Sequence, residues 1–204
     1  MPFFWVVVII IVVWWLASQS KKKTGIAPIP MTTNGDEPVS KITEETIFKV
    51  QSRFEEKLTK EIDFPDAIRG IEIYIYRNLM RPWYDKLSSQ NRYNEEMAQK
   101  LCRDWLDYMS AVEDRSTTNY LSLEFYDEKD SSKSDSYREE HVLASRKMFA
   151  IEDAFAASVG QEAIDELNRV RNLDFYAIDK FGNLAPEGFN FDLMGKLHPI
   201  KNKK

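Results

Sequence analysis

The chain has 204 residues, a formal net charge of −5, and 43% apolar and 30% charged residues. This length suits one domain with attachments, and 13% aromatic residues exclude a low-complexity or disordered chain. One cysteine and two histidines exclude a disulfide framework and a multi-cysteine zinc site, and they disfavour a histidine-built metal centre.

The first 20 residues carry no charged side chain, and residues 3–17 form an unbroken apolar run. A lone segment in lipid must satisfy its own backbone, so the run predicts a transmembrane helix despite its β-branched residues. Aromatic residues lie near both ends and lysines follow, as is typical of membrane-surface anchors. These anchor residues are Phe3, Trp5, Trp14, Trp15, Lys21, Lys22 and Lys23. A cleaved signal peptide is the alternative, although such a peptide normally begins with a basic region.

The three lysines also predict the orientation, because basic residues beside a span stay on the cytoplasmic side. We expect a single-pass signal-anchor protein with its N-terminus outside and its bulk domain cytoplasmic, or facing the compartment of insertion. The lone Cys102 agrees with a reducing compartment.

The composition divides the chain into four segments. Residues 1–20 are the predicted transmembrane anchor, and residues 21–40, with three prolines and two glycines, are a flexible linker. Residues 41–174 predict a compact all-α domain, a bundle of five or six amphipathic helices. Residues 175–204 form an irregular C-terminal tail.

The first helix of the domain shows an apolar stripe at helical spacing, namely Ile47, Val50, Phe54, Leu58 and Ile62. Thr43 is its favoured N-cap, because Ile42 and Ile47 would then form a hydrophobic staple; Ser40 is the alternative. Residues 63–65, which include a proline, end the helix.

Residues 70–76 alternate like a strand but also fit a longer helical stripe. No second convincing strand is available as a partner, so we predict a helix with a bend near Pro82.

The next apolar stripe runs from Tyr93 to Val112 and predicts a helix that ends near Asp114. A short helix over residues 118–126 and a solvated loop over 127–136 follow. Ser136 and Glu139 form a capping box for a helix that ends at Val159, before Gly160. A last helix covers residues 162–173, and no repeat appears at any solenoid period.

The tail contains a candidate hairpin around residues 182–183 and is too apolar for a pure linker. It either packs on its own domain, stays disordered, or docks onto a partner, and docking is our preferred interpretation. The candidate docking residues are Phe189, Phe191, Leu193, Met194 and Leu197.

The charge is unevenly placed along the chain. Without the three lysines of residues 1–23 and the four of residues 196–204, 21 basic residues face 33 acidic ones, a net charge of −12. Such an acidic domain should repel nucleic acid, so no nucleic-acid partner is expected.

Motifs for phosphate binding, nucleophilic catalysis and calcium or di-iron binding are missing from the sequence. We therefore predict no catalytic, cofactor-binding or metal-binding residue and no cofactor. Paired carboxylates such as Asp104 and Asp107 predict a solvated helix face rather than an acid–base pair.

Together these patterns favour a membrane-anchored helical adaptor or assembly factor that binds lipid through its N-terminal helix and another protein through its cytoplasmic domain. One alternative is a membrane-tethered enzyme or ligand-binding bundle that uses buried carboxylates and tyrosines. Another is a small subunit of a larger membrane complex.

Overall fold

The computed structural model describes residues 42–59 and 68–200, which are mostly helical. The helical elements are α1 (Glu44–Thr59), α2 (Gly70–Ile75), a π-helical segment (Tyr76–Met80), α3 (Arg81–Asn91), α4 (Glu95–Asp127), α5 (Ser131–Val159) and α6 (Gln161–Arg171). A 3-10 turn (Phe175–Ala177) precedes two short antiparallel strands, β1 (Phe189–Phe191) and β2 (Leu197–Pro199).

The predicted all-α bundle is therefore confirmed for the described residues. The predicted anchor (1–20) and linker (21–40) lie outside them, and both stay predictions. No helix in the described part of the chain combines the length and the apolarity that crossing a bilayer requires.

The start of α1 follows the capping prediction. The Thr46 backbone N–H donates to Thr43 Oγ1 at 3.2 Å, so Thr43 is the N-cap. The Ile42 N–H donates to Gln99 Oε1 at 2.9 Å, and Gln99 Nε2 donates back to the Ile42 carbonyl at 3.0 Å. These bonds fasten the beginning of the domain to the first turns of α4. The predicted helix end at residues 63–65 lies outside the described residues.

Residues 70–91 form one uninterrupted helix, so the helical interpretation of residues 70–76 is confirmed. The expected disturbance near Pro82 takes the form of the π-helical segment. A proline ring clashes with the carbonyl four residues back, which here belongs to Asn78. The widened turn adapts to this, and the Arg81 N–H donates to the Tyr76 carbonyl, five residues back. The Asn78 side chain donates to the Tyr74 carbonyl at 3.1 Å.

Helix α4 is a single helix of 33 residues, so the predicted end near Asp114 and the separate short helix were wrong. The apolar stripe stops at Val112, but the buried face continues through polar residues, namely Arg115, Ser116 and Thr118. Their side chains find partners inside the bundle, so the helix continues without an apolar signal. Tyr93, expected to face inward, lies before α4 and is 85% exposed, and Met97 is also exposed.

Helix α5 starts five residues before the predicted capping box. Its N-cap is Asp130, whose side chain accepts the Lys133 N–H at 3.2 Å. The predicted solvated loop over residues 127–136 and the cap at Ser136 were therefore wrong. The predicted end is confirmed, because α5 stops at Val159 and Gly160 takes a φ of +131°.

Trp105 lies at the centre of the core and is fully buried. Its ring stacks on those of Tyr84 and Tyr76, with centroids 4.8 and 5.4 Å away. Tyr108 and Phe155 complete the cluster at 6.0 and 6.3 Å. Aromatic rings from α3, the π-helical segment, α4 and α5 thus meet at one side chain.

Candidate functional site

Two carboxylates are buried inside the bundle, where the enzyme alternative would need them. Glu72 on α2 is 2% exposed and forms an ion pair with Arg115 on α4. Arg69 Nε donates to Glu72 Oε1 at 3.1 Å, and Ser116 Oγ donates to Glu72 Oε2 at 3.4 Å. Arg115 also donates to Ser145 Oγ on α5 at 3.0 Å. Both Glu72 oxygens are therefore engaged, which is what a buried charge requires.

The second carboxylate, Glu152 on α5, is fully buried. Tyr108 donates to its Oε1 at 3.2 Å, and Arg171 donates to its Oε2 at 2.5 Å. Burial raises the pKa of Glu152, against the opposing effect of these two donors. Burial and the charge of Glu152 raise the pKa of Tyr108 well above its ordinary value. The arrangement ties α4, α5 and α6 together and leaves neither oxygen of Glu152 free.

The other polar residues considered from the sequence lie on the surface or at its edge. Asp104 pairs with Lys100, and Asp107 pairs with Lys147 on α5 at 3.1 Å. His141 Nδ1 lies 3.0 Å from the Arg115 carbonyl. Within residues 42–59 and 68–200, no group of three histidine, cysteine or acidic side chains is placed to hold a metal ion.

The tail folds into two consecutive hairpins. The candidate hairpin around residues 182–183 is confirmed, whereas the second hairpin was not predicted and replaces the expected irregular segment. In the first, residues 177–185, Ile178 and Leu184 form an antiparallel bridge around the predicted turn. Asp179 Oδ1 accepts the backbone N–H groups of Phe181 at 2.9 Å and Asn183 at 2.8 Å. Gly182 closes the loop with a φ of +80°, which favours glycine.

The second hairpin, residues 188–200, repeats this turn 13 residues later. Asp192 Oδ1 accepts the backbone N–H groups of Met194 at 2.8 Å and Lys196 at 2.9 Å. Gly195 closes the loop with a φ of +75°. Asp192 Oδ2 lies 2.7 Å from His198 Nε2. These contacts, with that of Lys196 foremost, lower the pKa of Asp192.

The repetition is visible in the sequence once the structure aligns it. Residues 178–186 (IDKFGNLAP) and 191–199 (FDLMGKLHP) share aspartate, glycine, leucine and proline at equivalent positions. Large apolar residues also match at 178 and 191 and at 181 and 194. A search at solenoid periods misses this repeat, because its period is only 13 residues.

The surroundings of the two hairpins differ. A β-carbon built on Gly182 would lie 2.8 Å from Ile73 Cγ2, so the first turn is pressed against α2. A β-carbon on Gly70 of α2 would lie 1.8 Å from the Asp179 carbonyl oxygen. Around Gly195, in contrast, no described atom comes within 4 Å of the equivalent position. The same turn is thus covered by a helix in one copy and uncovered in the other.

The residues predicted to dock lie in this second hairpin. Leu193 and Met194 form its tip and are 85% and 82% exposed. Phe189 and Leu197 are also exposed, whereas Phe191 is half-buried. A groove of about 430 Å³ lies beside β1 and β2 and is lined by residues that include Tyr176, Phe191, Leu193 and Ile200. The anchor residues of the N-terminal segment lie outside the described residues.

Comparison of the chain with known protein families, with characterised proteins and with solved structures finds no match.

Proposed function

We propose that the protein is a single-pass, membrane-anchored adaptor whose helical domain presents the second hairpin to a partner protein on the cytoplasmic side. The observation that carries the proposal is a hydrogen-bonded turn whose tip exposes the apolar side chains of Leu193 and Met194. Large apolar side chains that stay in water forgo ~1.5–3 kcal/mol each relative to burial. Asp192 already orders the turn, so a partner would bury them at little further entropic cost.

The position of the hairpins along the domain supports this role. Ile42, where the domain begins, is bound to Gln99 on α4. The start of α2, against which the first hairpin packs, contacts α4 at Ser116. Seventeen residues of helix separate these points, roughly 25 Å along the axis. The first hairpin therefore packs on the domain about 25 Å along α4 from Ile42, and the second hairpin follows it directly in the chain.

The enzyme and ligand-binding alternative has less support. It relies on buried carboxylates and tyrosines, but Glu72 and Glu152 are each held by arginine in ion pairs that join helices. A general acid or base needs a carboxyl group that can reach a substrate. The alternative of a small subunit in a larger complex remains compatible with an exposed docking hairpin.

Membrane attachment is tested by fractionating cells that express the full chain. We expect the protein to stay in the membrane fraction after a carbonate wash, with protease reaching the domain from the cytoplasmic side only. Release of a shortened soluble protein would show instead that the N-terminal segment is a cleaved signal peptide.

Docking is tested by placing a photoreactive amino acid at Leu193 or at Tyr93, which are equally exposed. Leu193 lies in the turn of the second hairpin, and Tyr93 lies in the turn between α3 and α4. We expect a protein cross-link from position 193 that is missing from position 93. Equal cross-linking from both positions would contradict a docking surface at the hairpin. Cross-linking of lipid alone from position 193 would make it a membrane contact.

A further inference from the structure

We propose that the second hairpin binds an α-helix of the partner protein in the way the first hairpin holds α2. This inference rests on the proposed docking function and names the chemistry of the partner. The partner helix carries a small residue in its first turn, a branched apolar residue three positions later, and acidic residues nearby.

The first hairpin shows what this turn accommodates. Gly70 opens α2 and lets the Asp179 carbonyl approach closer than any side chain would allow. Three residues later, Ile73 covers Gly182 and is 5% exposed. Farther along the helix, Arg77 Nη1 donates to the Phe181 carbonyl at 3.5 Å. The turn thus receives the first turns of a helix through two glycines and one branched side chain.

The second turn has the same backbone hydrogen bonds as the first. In each, the glycine N–H donates to the aspartate carbonyl, at 3.0 Å for Gly182 and 2.9 Å for Gly195. The aspartate N–H donates across the hairpin, from Asp179 to the Asn183 carbonyl at 3.0 Å and from Asp192 to the Lys196 carbonyl at 2.9 Å. Because the backbone is equivalent and the space over Gly195 is open among the described residues, the second turn can receive the first turns of a helix at the same position, over its glycine.

The edge of the second hairpin disfavours the addition of a strand. The Ile200 N–H donates to the Gly188 carbonyl at 2.8 Å, so Ile200 points its backbone at the other strand. Pro199, the neighbouring residue, has no N–H to donate. By the pairing register, Leu197 and Pro199 point their backbone groups outward on β2, and of these two only Leu197 has an N–H. The outer edge of β2 therefore offers an extended peptide one donor instead of two, and a helix placed over the turn is the better match.

Charge completes the description of the partner. Residues 193–204 contain Lys196, Lys201, Lys203 and Lys204 and no acidic residue. The carboxylate of the preceding Asp192 accepts hydrogen bonds from two backbone N–H groups and pairs with His198, so it does not offset the charge of these lysines. A partner helix with acidic residues is therefore attracted at low ionic strength and less so in salt.

The test uses the full chain in detergent micelles and a synthetic peptide of residues 68–81 (IRGIEIYIYRNLMR), the helix that the first hairpin accepts. The peptide is lactam-bridged so that it is helical, and it is made with a tail of three glutamates or three lysines. Fluorescence anisotropy measures binding. We expect saturable binding of the glutamate-tailed peptide, at least tenfold weaker binding of the lysine-tailed one, and convergence of the two in high salt.

Matched variants locate the site. Gly195→Ala should remove peptide binding, since the added methyl group would occupy the space over the turn that the peptide helix needs. Gly188→Ala should retain binding, because Gly188 has a similar φ of +82° and no described atom within 4 Å of a β-carbon. Changing Gly70 to leucine in the peptide should also abolish binding. Retained binding by Gly195→Ala, or loss of binding by Gly188→Ala, would overturn the proposal.

The outcomes separate this inference from the function on which it rests. A cross-link to a protein from position 193 without any peptide binding would reject the proposal that the partner binds through a helix. The proposal that the second hairpin is a docking surface would still be supported. Peptide binding without a protein cross-link from position 193 would reject the adaptor function. Equal binding of both tailed peptides would overturn the proposal that the partner helix carries acidic residues.

Discussion

Ile73 on α2 lies directly over Gly182 in the first hairpin, where an added β-carbon would sit 2.8 Å from its Cγ2. The equivalent Gly195 meets no described atom within 4 Å. Substituting each glycine in turn therefore separates the free-energy cost of backbone strain from the cost of a steric clash with α2.

We expect Gly182→Ala to destabilise the domain more than Gly195→Ala. Both changes place a β-carbon on a residue with positive φ, at a cost of ~1–2 kcal/mol. Gly182→Ala adds a collision with α2, of the kind that costs ~1–3 kcal/mol. Urea denaturation measures the free energy of unfolding of both variants. Equal losses would mean that the first hairpin does not support α2.

The ion pair of Glu72 and Arg115 should show strong coupling. Glu72→Met leaves a buried arginine without its main partner, and we expect a loss of ~3–5 kcal/mol. The double variant Glu72→Met with Arg115→Met should be more stable than Glu72→Met alone, because no uncompensated charge remains. A double-mutant cycle from urea unfolding measures the coupling. Additive losses would show that the two side chains act independently.

Trp105→Ala should cost ~3–5 kcal/mol, the usual range for a buried large aromatic side chain. Tyr93→Ala is the control, because Tyr93 is exposed and its loss should stay within about 0.5 kcal/mol. Thermal or urea unfolding followed by circular dichroism compares them. A loss below about 1 kcal/mol for Trp105→Ala would be inconsistent with its place at the centre of the core.

The second hairpin should loosen in acid. Backbone N–H groups and His198 lower the pKa of Asp192 below its ordinary value of 3.8. A carboxylate with a lowered pKa in the folded state contributes stability that is present above the unfolded value and is lost as the pH falls through the folded one. The protection factors of the Met194 and Lys196 amides, which are their exchange rates relative to the intrinsic rates at each pH, should therefore fall below about pH 4.

The control for this acid response is Asp192→Asn. Its side-chain oxygen can still accept the two N–H groups, but it does not titrate. We expect Asp192→Asn to keep the turn, with little change in the protection factors of these two amides between pH 3 and 7. An equally steep acid response in the variant would place the responsible group elsewhere.

The removal of residues 187–204 tests whether the second hairpin belongs to the core. We expect an almost unchanged melting temperature, since the first hairpin is retained, and loss of binding of the glutamate-tailed peptide. That hairpin includes Ala177 and Ile178, which are buried. A large drop of the melting temperature would assign the second hairpin a structural role.

Apolar periodicity predicted the helices wherever the buried face is apolar, as for Ile47 and Phe54 on α1 and Leu167 and Val170 on α6. It failed where the buried face is polar. On α4 the inward residues after Val112 are Arg115, Ser116 and Thr118. Arg115 and Ser116 find their partners on other helices, whereas Thr118 donates to the Asp114 carbonyl of α4 itself. The sequence of one helix cannot show that such partners exist.

The candidate site was predicted in part. The apolar residues of the tail stand out in composition, so the docking residues could be listed from the sequence. Their arrangement could not, because Asp192 acts through hydrogen bonds to its own backbone rather than through an apolar pattern. The comparison with Asp179 becomes meaningful only after the first turn is seen beneath α2.

The π-helical segment carries a consequence for insertions and deletions. Each residue of an α-helix turns about 100° around the axis, so the wide turn shifts the rotational phase of α2 against α3. That phase lets one helix aim Glu72 at Arg115 near its start and Tyr84 at Trp105 near its end. A π-helical turn holds about one residue more than an α-helical turn, so deleting a single residue within 76–80 would restore a regular α-helix and keep both contacts on their present sides. Inserting a residue there would instead turn one of these contacts about 100° away from its partner. A one-residue deletion in this segment should therefore be better tolerated than a one-residue insertion.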